Sequence, residues 1–316
     1  MSSSAAASLK ADLLLVLVTL LAAVSWIFSK EAVLLMPPLL FMALRFLLAG
    51  LLLALLGWRQ IRALNVRQIR RATRVGMVFG FGMSCWIMGL HAGGHLGEGA
   101  FLTNLGVVLV PLLAALLFGE RAPLSTWLAL PVAGAGLALL FLQHGLRPAP
   151  GQLFYVLAAG IFALFYILNT RAANERPGAP GGRGDKVPPL ALTAIVLTVV
   201  GLLSALLSFG SEPWQPTIDS FGPVLAGWVV ASAVIGSAAR FLIQTYAQSL
   251  SAHSHGVVIM VVEPVWTALL SAAWFGETMT GMQLAGCGLI FAALLISRAA
   301  AVGQLVRSAL RQDVPS

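Results

Sequence analysis

The sequence predicts an all-α integral membrane protein of ten transmembrane helices, arranged as two inverted-topology repeats of five. Three observations carry that prediction. Of 316 residues, 59% are hydrophobic and 9% are charged, whereas a soluble domain carries about a quarter charged residues. A water-soluble enzyme of this length is therefore close to excluded. Ten apolar stretches approach the ~20 residues that cross a bilayer core. And the stretch at 37–56 recurs at 188–207.

The first span, 11–29, follows Lys10 in "MSSSAAASLKADLLLVLVTLLAAVSWIFSK" and superficially resembles a signal peptide. It continues to about Phe28 with no clear small-x-small cleavage site behind it. It reads as an uncleaved first helix. The others fall at 36–57, 74–92, 98–118, 124–142, 152–171, 188–209, 221–247, 255–275 and 281–299. Most connections are too short for a folded extramembrane domain. The longest, "TRAANERPGAPGGRGDKVPP", is rich in Gly, Pro and charge and predicts a flexible cytoplasmic linker at about 172–187. No Gly-Lys-Ser/Thr follows its glycines, so it is not a phosphate loop.

Lysine and arginine set the orientation. With the N-terminus inside, the inner segments hold Lys10, six arginines from Arg59 to Arg74, Arg121, four basic residues from Arg171 to Lys186, and Arg298, Arg307 and Arg311. That is fifteen, against Lys30 and Arg147 outside. Both termini are expected in the cytoplasm. The net charge of +8 thus serves topology rather than nucleic-acid binding, which needs a basic face. Cys85 and Cys287 lie in separate apolar segments and suggest neither a disulfide nor a metal site.

The repeat fixes the halves. "PPLLFMALRFLLAGLLLALL" and "PPLALTAIVLTVVGLLSALL" agree at ten of twenty positions at an offset of 151, and "FGE" at 118–120 recurs at 275–277. Residues 1–147 and 148–316 are then two five-helix units. Five is odd, so the second enters the membrane upside down. Transporters so built bind substrate near the midplane, between the repeats.

A charged side chain at the bilayer centre costs about 2.5–3.5 kcal/mol on insertion scales and so faces a partner or a cavity. Arg45, Arg240 and Glu263 are the three such residues. Either they form a central site, arginine holding a substrate carboxylate and Glu263 carrying a proton, or they are a structural ion pair. For Arg45 the structural reading is favoured. Arg240, Gln244 and Gln248 share one helix face by their i, i+4, i+8 spacing. Pro264 has no N–H, so it should free the carbonyl of Met260 within a turn of Glu263. Asn104, Tyr166, Asn169, Trp26, Trp86 and Trp266 fall inside spans. Each is by default a packing residue; for the aromatics the alternative is stacking on an organic substrate or holding a cation. Trp58 and Trp127 read as interfacial anchors. "HAGGHLGE" imitates metal-ligand spacing, but it lies in a glycine-rich outer loop, so no metal is expected and Glu98 is of interest as an outer-gate residue. The histidines of "HSH" at 253–255 read as interfacial, and Glu120 and Glu277, each after "FG", as capping or gating residues.

The stretches "MPPLLFMALRF" in the second span, "AFLTNLGVVLVPLLAALLFGERAPLSTW" across the fourth and fifth, and "QTYAQSLSAHSHGVVIMVVEPVWTALLSAAWFGETMTGMQLAGCGLIFAALL" across the eighth to tenth resemble the EamA-type drug/metabolite transporters. The resemblance covers both halves. It implies ten helices in inverted repeats and export or exchange of small metabolites, amino acids and related compounds among them, across a bacterial inner membrane. It singles out Trp26, because the family often has a tryptophan near that point, and assigns "LRF" around Arg45 to the scaffold. The expected substrate cavity comprises Trp26, Arg45, Asn104, Tyr166, Arg240, Gln244, Glu263 and Trp266, with Glu263 as the coupling residue. Small-molecule substrate, lipid and protons are the expected partners, with no nucleic acid and no cofactor. Organic-cation or multidrug efflux is the alternative. An integral-membrane enzyme is a third class, disfavoured because the five histidines are scattered. No nucleotide-binding motif supports ATP-driven pumping.

Orientation is testable with single cysteines at Ala63, Ala179 and Gln215 in a chain lacking Cys85 and Cys287. An impermeant thiol reagent added to cells permeable only at the outer membrane should label Gln215→Cys alone. Labelling of Ala179→Cys but not Gln215→Cys would reverse the topology.

Overall fold

The computed structural model describes residues 3–93, 95–119, 124–142, 149–174, 186–250 and 262–297. Among them it is all-helical. The chain runs through α1 (Ser3–Val33), α2 (Pro38–Leu56), a short α3 (Trp58–Arg62), α4 (Val66–His91), α5 (Leu96–Phe118), α6 (Leu124–Leu142) and α7 (Pro150–Ala173). It continues through α8 (Pro189–Ser211), a short α9 (Gln215–Asp219), α10 (Pro223–Ala231), a π-helical segment (Ser232–Ala239), α11 (Arg240–Leu250), α12 (Glu263–Phe275) and α13 (Gly281–Ser297). Seven helical stretches are long and apolar enough to cross a membrane, the eighth predicted span among them as Pro223–Ala247. The apolar helices α6 and α13 are shorter. The molecule is a multi-pass membrane protein. Large side chains such as Leu55, Leu116, Leu206 and Leu269 are more than half exposed on the outer surface of the bundle, where hydrocarbon replaces water.

Local chemistry explains the helix ends. Pro38, Pro150 and Pro189 stand in the first turns of α2, α7 and α8, where a missing N–H costs nothing and a fixed φ suits the helix. Pro37 and Pro188 precede α2 and α8 with nearly the same geometry, φ −55° ψ 137° and φ −56° ψ 138°. α5 and α12 both stop at a glycine in the left-handed region, Gly119 at φ 68° and Gly276 at φ 66°. The glycines of the repeated "FGE" are thus helix C-caps.

Three sequence expectations change. The loop expected between 57 and 74 is mostly helical, because Asn65 and Gln68 form a capping box that starts α4 at Val66. Hydropathy alone passes over the basic first two turns of α4. The eighth span is not one regular helix, since eight of its residues wind as a π-helix. Pro264 does not interrupt a described helix: it stands in the first turn of α12. The Met260 carbonyl, the "HSH" histidines, Glu120 and most of the linker lie outside the described residues.

Helices approach closely where glycine allows it. α2 and α8 run antiparallel with reciprocal contacts. A Cβ on Gly50 would lie 2.8 Å from the backbone N of Thr198, and one on Gly201 would lie 2.7 Å from that of Leu47. Each glycine therefore meets the residue three before the other. α6 and α13 repeat the device: Gly136 meets Gly286 O and Ile290, while Gly286 meets Gly136 O and Leu140. Backbone-to-backbone packing of this kind suits membranes, where small residues supply the association.

Gly50→Val forces a branched side chain onto Thr198 backbone and should destabilise the detergent-solubilised protein by about 1–3 kcal/mol, the usual cost of overpacking. Gly134→Ala, with open space around its Cβ, should be neutral or slightly stabilising. Thermal melts of the two variants separate these outcomes.

Candidate functional site

Seven helices converge on one central cavity. Ser25 and Trp26 reach it from α1, Arg45 from α2, Trp86 from α4, Asn104 from α5, Tyr166 from α7, Arg240 from α11 and Glu263 from α12. Phe79, Phe162, Phe165 and Phe241 complete an aromatic wall, in which Phe79 stacks on Phe165 at 4.0 Å between centroids. The cavity has a volume of about 40 Å³, room for a water or two rather than for an organic solute.

Arg45 is 1% exposed. Its Nε donates to Ser237 Oγ at 2.6 Å, Nη1 to Ser29 Oγ at 2.7 Å, and Nη2 to Ser25 Oγ at 2.6 Å and Gly236 O at 3.0 Å. Four of its five N–H donors are thus met by neutral groups on α1 and the π segment, and no carboxylate contacts it among the described residues. Gly236 permits this, since a Cβ there would lie 2.6 Å from Ser25 Oγ. The π segment and α1 are joined through one guanidinium.

Glu263 is 6% exposed and takes partners from two other helices. Arg240 Nη2 lies 3.4 Å from Oε2, and Trp26 Nε1 lies 3.4 Å from Oε1. Both contacts are long for charge-assisted bonds, which run to about 2.7–2.9 Å. Arg240 Nε is buried with no partner among the described residues. The described cavity thus holds two guanidinium groups against one carboxylate.

Six of the eight expected residues share this cavity: Trp26, Arg45, Asn104, Tyr166, Arg240 and Glu263. Gln244 lies one turn along α11, buried, and Trp266 lies on α12. Neither lines the cavity, and Gln244 Oε1 and Trp266 Nε1 have no partner among the described residues. Sequence reasoning missed the serines. Ser25 and Ser29, four apart on α1, are a polar stripe that would have signalled a buried partner. The phenylalanine wall carries no signal, because its residues look like any core.

A second cluster closes the end of the bundle where α1 stops and α2 begins. Lys30 pairs with Glu277, whose other oxygen accepts the N–H of Leu96 at 2.9 Å. Glu212 accepts the N–H groups of Leu39 and Leu40, both at 2.8 Å, and so caps α2 from the end of α8. Glu98 accepts from Gln152 Nε2 at 2.5 Å and Gln283 Nε2 at 2.9 Å. His95 stands 3.8 Å from Glu277 and lines the same cavity as Glu98.

Comparison with known proteins agrees with this architecture. The model of the EamA-like transporter family matches residues 9–142 and again residues 149–299. An uncharacterized transporter of Archaeoglobus fulgidus is 28% identical over 60% of this chain and 62% of its own length. The threonine/homoserine exporter RhtA of Escherichia coli K12 is 27% identical over 65% of this chain and 68% of that protein. RhtA of Salmonella typhimurium is 28% identical over 65% and 69%. The chain therefore aligns with under two thirds of the archaeal relative. One crystal structure superposes with a TM-score of 0.63 over 92% of this chain and 98% of its own, at 21% identity, so the fold is shared. With the family model covering nearly the whole length in two successive matches, the chain belongs to the EamA-like transporter family.

Proposed function

We propose that the protein is a secondary transporter that exports or exchanges small amphiphilic metabolites, amino acids or related compounds, by alternating access. Ten membrane-crossing helices form two inverted repeats, residues 1–147 and 148–316, in a bacterial inner membrane with both termini cytoplasmic. The reciprocal glycine contacts of α2 with α8 and of α6 with α13 support a two-fold relation between the halves. So does the double match of the family model. RhtA, named for threonine and homoserine, supports the substrate class.

The carrying observation is the charge of the central cavity. Arg45 and Arg240 face it with Glu263 as the single carboxylate among the described residues. A solute carboxylate complements that excess, and Arg240, held at 3.4 Å from Glu263 with Nε unpaired among the described residues, is its binding group. Proton coupling is assigned to Glu263, since its charge state would control whether Arg240 is engaged or free. The aromatic wall favours a second reading, efflux of organic cations with Glu263 as the contact, because cations are attracted to ring faces. No catalytic role is proposed.

Uptake by proteoliposomes across a panel of amino acids, their amides and quaternary amines decides between the two. Arg240→Gln should cut transport of amino acids by about tenfold or more while sparing their amides, because hydrogen bonds to charged groups contribute about 1.5–3 kcal/mol. Equal losses for acids and amides at normal protein levels would make Arg240 structural. Transport of quaternary amines alone would establish the cation reading.

Glu263→Gln should retain substrate binding and counterflow exchange and lose the response to an imposed pH gradient. Glu263→Ala should in addition destabilise the protein, because removing one member of a buried pair costs about 3–5 kcal/mol. Accumulation driven by pH in the Gln variant would place coupling at another residue.

A further inference from the structure

We infer that Glu98 forms a second binding subsite, for the ammonium group of a substrate on its way between the central cavity and the outer face. The inference rests on the proposed amphiphilic, zwitterionic substrate, and it arises from the end of the bundle opposite the linker.

Glu98 is 6% exposed in the first turn of α5. Its two hydrogen-bond donors are neutral amides, and both are fixed from behind. Gln152 Oε1 accepts the N–H of Ala149, and Gln283 Oε1 accepts the N–H of Thr280, so each side chain caps its own helix and turns its Nε2 toward Glu98. No lysine, arginine or histidine pairs with Glu98 among the described residues: Lys30 and His95, the cationic candidates at this end, stand against Glu277. A buried carboxylate that is hydrogen-bonded but lacks a counter-cation is a site made for one.

Space is available beside it. Glu98, Gln152, Gln283 and Tyr155 line a cavity of about 380 Å³, within the range of about 300–1,000 Å³ typical of small-molecule sites and far larger than the central one. Tyr155 is its floor. The ring is pinned between Gly89 and Gly99, where added Cβ atoms would lie 2.9 and 2.6 Å from it. It also leans on Trp26 at 5.7 Å, and Trp26 meets Trp86 edge-on at 4.7 Å. Both tryptophans line the central cavity. One aromatic layer therefore separates a chamber with excess guanidinium from a chamber with a lone carboxylate. A zwitterion passing from one chamber to the other meets Arg240 with its carboxylate on one side of that layer and Glu98 with its ammonium on the other. The polarity of the two chambers orients it.

Binding to the purified full-length protein can be followed by quenching of tryptophan fluorescence, with n-propylammonium, L-threonine methyl ester and N-acetyl-L-threonine as probes. Glu98→Gln should weaken the two cations by about tenfold or more and leave the N-acetyl anion unchanged, whereas Arg240→Gln should do the reverse. Ala92→Phe, at an exposed position that lines the chamber, should weaken the cations as well and guards against misfolding of the Gln variant. Unchanged cation binding in both variants, or equal loss of cation and anion in Glu98→Gln, would overturn the subsite. If propylammonium binds through Glu98 but no amino acid is transported, the subsite stands and the proposed substrate falls.

Discussion

A guanidinium enclosed at the depth of the hydrocarbon has to bring its own acceptors, and Arg45 brings four. An ionised group in such surroundings is tolerated only when it is paired or fully hydrogen-bonded. The hydroxyls of Ser25, Ser29 and Ser237 and the carbonyl of Gly236 meet that demand. In doing so they tie α1, α2 and the π segment into one unit. Arg240, just beyond the π segment, is then delivered to Glu263 at the start of α12, and Trp26 on α1 is delivered to the same carboxylate. The centre of the protein follows from the need to solvate one side chain without water.

Backbone proximity is the second constraint. A lipid environment offers no hydrophobic drive between helices, so contact must come from packing and hydrogen bonds. Gly50 and Gly201 bring α2 and α8 within backbone distance, and Gly136 and Gly286 do the same for α6 and α13. Polar clasps complete the end of the bundle where α1 stops: Glu212 on the N-terminus of α2, Glu277 on the N–H of Leu96, and Glu98 between two capping glutamines. Each ends free N–H groups or amides that would otherwise be unsatisfied where water is scarce.

Much of this was legible in the sequence. Apolar length located α2, α5, α6 and α8 to within about two residues, because in lipid a helix must satisfy its own backbone and hydropathy reports that directly. Rarity of charge singled out Arg45, Arg240 and Glu263, which the fold gathers around one cavity, since an ionised residue in a span is costly to leave unpartnered. The basic start of α4 was passed over, because its capping box is written in Asn65 and Gln68 rather than in hydropathy. Gln244 and Trp266 were expected on the cavity and lie off it. Helical spacing shows which residues share a face, but not which neighbour that face meets. The Arg45 partners were missed for a related reason: three serines on two distant segments make a site only after folding.

The π winding between Ser232 and Ala239 gives the eighth span a mechanical property that a uniform helix lacks. Its i→i+5 bonds take up more residues per turn than the 3.6 of an α-helix. Rewinding those eight residues to 3.6 per turn would rotate everything beyond them about the helix axis and lengthen the segment along it. Arg240 is the first residue past the segment. A torsional change of that kind would carry its guanidinium off Glu263 like a key turned in a lock, and it would have to loosen the grip of Arg45 on Ser237 and the Gly236 carbonyl.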